Sequence, residues 1–171
     1  MNSRTQKTAV YGMLIALAMI LSYVEAQVPA FFAVPGMKLG LTNIVVLYAL
    51  YRIGFKSAFF INLLRILLVG ILFGTGMSLA FSLAGGLLST MVMMLLKKTG
   101  RFQMFTVSLA GGITHNIGQI LVAMLLLQTT AIGWYLLILW FSGLGSGLVI
   151  GLICGELMKH LDKTKIEGMP R

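Results

Sequence analysis

Six long stretches of apolar residues run through the chain, separated by short segments that carry charged or turn-forming residues. The stretches cover 8–23, 39–51, 57–73, 77–96, 105–127 and 133–158. Because about 20 apolar residues of helix cross the hydrocarbon core of a bilayer, the pattern predicts six transmembrane helices. The second stretch is shorter than such a span, so a tilted or partly re-entrant element is an alternative there.

Composition agrees with this pattern. Of 171 residues, 58% are apolar and only 10% are charged, and the mean hydropathy is +0.97. These values exclude a water-soluble globular domain and predict one all-α integral membrane domain over 1–171. The first stretch follows a short basic segment, but no clear cleavage site precedes Glu25. We therefore expect a retained first helix, not a signal peptide.

The distribution of charged residues predicts how the chain is oriented in the membrane. The chain has 13 Lys and Arg against 4 Asp and Glu, a net charge of +9. If six helices begin and end in the cytoplasm, the inner segments carry Arg4, Lys7, Arg52, Lys56, Lys97, Lys98, Arg101, Lys159, Lys163, Lys165 and Arg171. Such a gradient follows the positive-inside rule and would be broken by five spans. We expect a multi-pass protein of a bacterial cytoplasmic membrane and no nucleic-acid partner.

The segment 25–38 between the first two stretches is unusual for a solvated loop. It is largely apolar and contains Pro29 and Pro35, two of the three prolines in the chain. Proline disfavours a regular helix, so the segment could close over a cavity as a lid. An interfacial loop with only a packing role is the alternative.

Arg65 is the clearest polar residue inside an apolar stretch. It lies near the middle of the third stretch, with Asn62 three residues earlier on the same helical face. A charge at that depth costs several kcal/mol unless it is paired or hydrated. An anionic or polar ligand site is one explanation, and a pairing that holds helices together is the other.

The fifth stretch carries three polar side chains within five residues, namely His115, Asn116 and Gln119. His115 and Gln119 share one helical face, whereas Asn116 lies about 100° around the helix. The group could line a hydrated pocket, or it could provide hydrogen bonds between helices. The same two explanations, a hydrated pocket or a hydrogen bond between helices, apply to Asn43 at the outer end of the second stretch.

Small residues recur at four-residue spacing in two stretches. The last contains Gly143, Gly147, Gly151 and Gly155, and the first contains Gly12 and Ala16. Such faces allow close approach of another helix, either from this chain or from a partner.

The sequence gives little support for catalysis. Asp162 is the only aspartate, so no aspartate-rich pair of motifs can hold the magnesium ions that a prenyl diphosphate synthase needs. There is no Walker A phosphate loop, and His115, His160 and Cys154 lack metal-ligand spacing. We predict no catalytic residue, no cofactor and no metal site.

Several separated motifs together resemble a known family. They are the segments 35–43, 64–67, 74–75, 82–86 and 115–119, which read PGMKLGLTN, LRIL, GT, SLAGG and HNIGQ. In this order they resemble the Gx transporter family, also labelled heptaprenyl diphosphate synthase component I, over roughly 8–156. That family is in turn similar to the substrate-binding S components of energy-coupling factor transporters.

The resemblance implies an S-component-like bundle with a substrate site that opens on the outer side. It also implies a lid after the first helix and docking of a coupling membrane subunit, driven by ATPases, on small residues of that helix. On this view a small polar or anionic substrate would contact Lys38, Asn43, Asn62, Arg65, His115, Asn116 and Gln119. The label also implies two alternatives, namely a non-catalytic accessory subunit of heptaprenyl diphosphate or quinone synthesis, and a membrane anchor in flavin or quinone electron transfer.

Overall fold

The computed structural model describes residues 3–27 and 40–163, and within these ranges every regular element is helical. The elements are α1 (Ser3–Gln27), α2 (Asn43–Arg52), α3 (Phe55–Leu72), α4 (Gly76–Lys98), α5 (Met104–Leu127), a 3₁₀ turn (Ala131–Trp134) and α6 (Tyr135–Lys163). The all-α class and the number of α-helices are thus as predicted. Most of the segment expected to form a lid, together with Lys38, lies outside the described residues.

The second helix differs from the prediction. Five helices in the described part of the chain are long and apolar enough to cross a membrane, and α2 is not among them. Its 10 residues span about 15 Å, half the thickness of the hydrocarbon core. Length and composition thus support five of the six predicted spans, and α2 matches the alternative of a shorter, tilted or partly re-entrant element.

The short helix α2 is buried on all sides. Its buried residues are Asn43, Val45, Val46, Leu47, Tyr48, Ala49 and Leu50. Those from Val45 to Leu50 form one apolar core together with residues of α1, α3, α4, α5 and α6. At the C-terminal end of α2, Lys97 Nζ donates a 2.6 Å hydrogen bond to the carbonyl of Leu50. The Lys97 ammonium group also lies 4.8 Å from the centre of the Tyr51 ring.

One end of the bundle carries Arg52, Lys56, Lys97, Lys98 and Arg101, and we call it the basic end. A 2.7 Å hydrogen bond between Tyr11 on α1 and Ser57 on α3 places the start of both helices there. The end of α4 meets the end of α2, and α6 returns antiparallel to α5. The first and last described residues consequently lie at the same end of the bundle. That this end faces the cytoplasm remains a prediction from charge.

Three glycines of α6 pack against α5. A Cβ atom on Gly143 would lie 2.8 Å from the Gly112 carbonyl oxygen, and one on Gly147 would lie 2.8 Å from the Cα of Leu109. A Cβ on Gly151 would lie 3.1 Å from Ser108 Cβ. The close approach that these glycines permit is therefore made within the chain.

The other small residues assigned to docking face outwards. A Cβ on Gly12 or on Gly155 would meet no heavy atom within 4 Å among the described residues. Ala16, one turn after Gly12 on α1, is also exposed. Docking of a partner on these residues remains a prediction.

Candidate functional site

Polar side chains are concentrated around the N-terminal end of α2, deep inside the bundle. Gly40, just before α2, has a φ of +88°, and a Cβ there would lie 3.1 Å from Asn43 Nδ2 and 3.4 Å from a His115 ring carbon. His115 is twelfth of the 24 residues of α5. Since α2 ends at the basic end, it reaches from there to about the middle of the long helices.

Glu25, on α1, contacts the residues just before α2. Glu25 is 5% exposed, and its carboxylate accepts hydrogen bonds from the backbone N–H groups of Gly40 and Leu41, the second at 3.3 Å. These groups lie at the positive end of the α2 dipole, where a negative charge is favourable. Glu25 therefore fixes the start of the buried helix against α1.

Arg65 connects α3 to α1. The side chain is 2% exposed, and its Nε and Nη2 atoms donate to Asn62 Oδ1 at 3.1 and 2.8 Å. Its Nη1 atom donates to Ser22 Oγ at 3.3 Å. Ser22 and Glu25 are three residues apart on one face of α1, and the charge of Glu25 acts on Arg65. Both charges are thus placed in the interior of the bundle.

Asn62 extends these contacts to α4. Its amide nitrogen donates to the carbonyl of Gly86 at 3.0 Å and to Thr90 Oγ1 at 2.8 Å. A Cβ on Gly86 would lie 3.2 Å from that nitrogen, so glycine is needed for this approach. Every hydrogen-bonding atom of the Asn62 amide group is engaged by α3 and α4.

The polar residues of α5 divide between two directions. His115 Nε2 and Gln119 Nε2 are 2.8 Å apart, and both side chains lie against Gly85 of α4. Asn116 instead donates a 2.6 Å hydrogen bond to the carbonyl of Leu139 on α6. The structure therefore brings His115 and Gln119 towards Asn43 and turns Asn116 towards α6.

We refer to the buried group around the start of α2 as the polar cluster, and its residues are Ser22, Glu25, Asn43, Asn62, Arg65, His115 and Gln119. Gly85 and Gly86 of α4 lie between its two halves, since Gly85 faces α5 and Gly86 faces α3. Five of these residues are among the predicted substrate contacts. Lys38 lies outside the described residues, and Asn116 lies on the other side of α5.

One residue of the polar cluster stands apart from the others. Asn43 is 3% exposed, yet neither atom of its amide group has a hydrogen-bond partner among the described residues. The hydroxyl of the neighbouring Thr42 is likewise buried without a partner in that part of the chain. Leaving a buried polar group without a hydrogen bond costs about 1–3 kcal/mol, so such atoms indicate a place for an additional partner.

The polar cluster combines several kinds of functional group. It offers one guanidinium, one carboxylate, one imidazole and several amide groups, enclosed by apolar helices. Within residues 3–27 and 40–163, no group of three or more His, Cys, Asp or Glu side chains is placed to hold a metal ion. These functional groups are suited to hydrogen bonding with a compact polar molecule.

Comparison with known proteins identifies the family. The family model for heptaprenyl diphosphate synthase component I matches residues 14–157. The chain belongs to this family. No significant match is found among curated proteins or among solved structures. The match to heptaprenyl diphosphate synthase component I begins inside α1 and ends inside α6, so it includes the whole polar cluster.

The predicted site lacks two members of the polar cluster, namely Ser22 and Glu25. One signal for Glu25 was present, because it is the only acidic residue before Glu156 and it closes the first apolar stretch. An acid beside a membrane span is expected to find a buried partner or to reach water. Its contact with the residues just before α2 depends on the path of the segment between Glu25 and Gly40, and the pattern of apolar residues does not predict that path.

Proposed function

We propose that this chain is the membrane-embedded substrate-binding subunit of a small-molecule importer, in the manner of an S component, and that the polar cluster holds the substrate. In this proposal Asn43, Asn62, Arg65, His115 and Gln119 line the site. Membership of the component I family and the apolar helices support a role within the membrane.

The observation that carries the proposal is the amide group of Asn43. In a structural network, buried polar side chains satisfy one another, as Asn62 and Arg65 do. The amide group of Asn43 has one hydrogen-bond donor and one acceptor atom, and neither atom forms a hydrogen bond with a described residue. A bound molecule that pairs with this amide would remove the cost of burying it.

Binding by this chain alone would be passive. A protein without an energy source cannot bias alternating access, so uphill import requires a partner that hydrolyses ATP. The outward face of α1 that carries Gly12 and Ala16 is the surface we assign to a coupling membrane subunit. The close packing that small residues allow between membrane helices supports this assignment.

The test is recovery of the protein from its native membranes in mild detergent, followed by native mass spectrometry of the intact assembly. We expect a compact polar molecule to be retained and to dissociate on collisional activation, with or without ATPase subunits. Recovery of a long-chain isoprenoid, or of no small molecule at all, would contradict the proposal.

A second candidate function follows from the family description. The words "component I" denote one part of a synthase, which favours a non-catalytic membrane subunit that works with a second component. In that case the same experiment would recover a prenyl-synthesis partner, and the bound molecule would be a prenyl diphosphate with its tail towards lipid. The identity of the retained molecule separates the two functions.

A further inference from the structure

Thr42, the residue directly before α2, has a side chain of the type that usually caps a helix, but it does not cap this one. The residue is 1% exposed, and its side chain makes no hydrogen bond to the first turn of α2. Its φ and ψ of −60° and −18° are helical, whereas a capping threonine usually has an extended backbone that directs its oxygen at the first amides. The first amide groups of α2 instead donate to the carbonyls of residues 40–42. The hydroxyl of Thr42 is thus not used to satisfy the start of α2.

Hydroxyl groups inside the long helices have a carbonyl close by. Thr90 on α4 and Thr114 on α5 each donate a 2.7 Å hydrogen bond to the carbonyl four residues earlier. Ser89 is also buried without a partner among the described residues, but rotation of its side chain brings the same kind of carbonyl within reach. Thr42 precedes the first residue of α2, so no earlier turn of that helix offers it a carbonyl. Its hydroxyl consequently lacks the partner that the fold gives to Thr90 and Thr114.

Thr42 adjoins the amide group that we assign to the substrate. Asn43 is 3% exposed, and its amide lies on the side of His115, since a Cβ on Gly40 would approach both side chains. Consecutive positions of a helix are turned by about 100°, so the hydroxyl of Thr42 and the amide of Asn43 face different directions. A molecule that satisfies both must therefore present two separate hydrogen-bonding groups.

We propose that Thr42 is a specificity-determining residue of the substrate site, and that its hydroxyl binds one polar group of the substrate while the amide of Asn43 binds another. This inference rests on the proposed function and narrows its substrate class to compact molecules with at least two hydrogen-bonding groups. A hydroxyl both donates and accepts, so Thr42 selects for the presence of the second group and not for its charge. A site built to pair with a polar group rejects an analogue that lacks it, because the protein group then stays buried and unpaired.

The experiment removes the hydroxyl and keeps the shape of the side chain. Wild type, Thr42→Val and Thr42→Ser are purified from native membranes in mild detergent. The probe is the molecule that wild type retains, followed by the mass that it adds to the protein after dilution. The half-life of this added mass should be about tenfold or more shorter for Thr42→Val, because one polar group of the molecule loses its partner. Thr42→Ser keeps the hydroxyl and should stay within about threefold of wild type.

The stability of the protein without the bound molecule separates a substrate contact from a structural role. Because the hydroxyl of Thr42 has no partner in the described fold, ligand-free Thr42→Val should unfold at the same temperature as wild type or higher. Thr114→Val makes the same chemical change where the hydroxyl is used within α5, and it should keep the half-life of wild type. An unchanged half-life in Thr42→Val, an equal shortening in Thr42→Ser or Thr114→Val, or a loss of stability in ligand-free Thr42→Val would overturn the inference.

The chemical identity of the retained molecule gives a second readout that does not depend on the folding of any variant. A compact molecule with two or more hydrogen-bonding groups supports the inference, and one with a single such group overturns it while leaving the proposed function intact. Wild type that retains no small molecule contradicts the proposed function itself, so the two failures are distinguishable.

Discussion

At the scale of single residues, the interior of this protein is held by polar contacts that would be weak in water. Arg65 donates two hydrogen bonds to one oxygen of Asn62, and Asn62 in turn donates to Gly86 and Thr90. Because these groups have no access to bulk water, loss of one partner leaves the other buried and unsatisfied.

The first prediction is that Glu25 and Arg65 are coupled in their effect on the free energy of unfolding. Arg65→Met should lower the free energy of unfolding by about 1–3 kcal/mol, because Asn62 Oδ1 and Ser22 Oγ lose their buried donor and Glu25 loses a cation in the same cluster. The double variant Glu25→Gln, Arg65→Met should recover part of that loss, with a coupling energy of about 2 kcal/mol. Denaturation in mixed micelles, followed by the fluorescence of Trp134 and Trp140, measures both values. Additive effects would show that the two charges do not interact.

Helical periodicity predicts several of these residue contacts. The spacing of Asn62 and Arg65 and that of His115 and Gln119 place each pair on one face, and both pairs are in contact. Asn116 lies off that face, as its angle predicts, and it contacts α6. The role of Glu25 could not be predicted, since it depends on a contact between residues 15 positions apart across a proline-containing segment.

At the scale of elements, the short buried helix α2 is the unusual feature. An isolated helix of 10 residues is marginal, so its stability must come from packing and from the groups at its ends. Its N-terminal end meets the carboxylate of Glu25, and its C-terminal end meets the ammonium of Lys97. Both charges have the sign that the helix dipole favours.

The second prediction concerns the hydrogen bond of Lys97 at the C-terminal end of α2. Lys97→Met should destabilise the protein by about 1–2 kcal/mol, because the Leu50 carbonyl loses its donor and the helix dipole loses a cation. Lys98→Met, one residue later and exposed, provides the control and should change stability by less than about 0.5 kcal/mol. Equal effects of the two substitutions would argue against a role for Lys97 in holding α2.

The third prediction concerns the packing of α6 on α5. Gly147→Ala should destabilise by about 1–3 kcal/mol, because its Cβ would lie 2.8 Å from backbone atoms of Ser108 and Leu109. Gly145→Ala is two residues away on the open side of α6, where a Cβ meets nothing within 4 Å, and it should be neutral or slightly stabilising. Thermal unfolding in detergent compares the two. Tolerance of alanine at Gly147 would contradict the close approach.

Apolar length predicts the long helices well and the short one poorly. The positions of α3, α4 and α5 agree with the predicted stretches within about three residues, as is usual at helix ends. For α2, an apolar run alone does not distinguish a span from a helix enclosed by others, because both are hydrophobic all round. Its length of 10 residues agrees with the alternative of a tilted or partly re-entrant element that the short apolar stretch left open.

At the scale of the whole molecule, five long helices surround a short one, and the polar cluster lies where the short helix begins. This arrangement places hydrogen-bonding groups at about the middle of the bundle while the outer faces stay apolar. The basic residues Arg52, Lys56, Lys97, Lys98 and Arg101 lie at one end of the bundle, and they predict that this end faces the cytoplasm. The site would then be reached from the opposite side.

The central claim is that Asn43 is kept buried for a ligand and not for the fold, and a comparison of two buried asparagines tests it most directly. Asn43→Leu and Asn62→Leu would each be purified from native membranes, and both ligand retention and the stability of the ligand-free protein would be measured. Asn62→Leu should lose about 1–3 kcal/mol of stability, because Arg65 loses its acceptor. Asn43→Leu should lose the retained molecule while the ligand-free protein stays as stable as wild type or becomes more stable. A variant Asn43→Leu that keeps the molecule and unfolds as readily as Asn62→Leu would contradict the account.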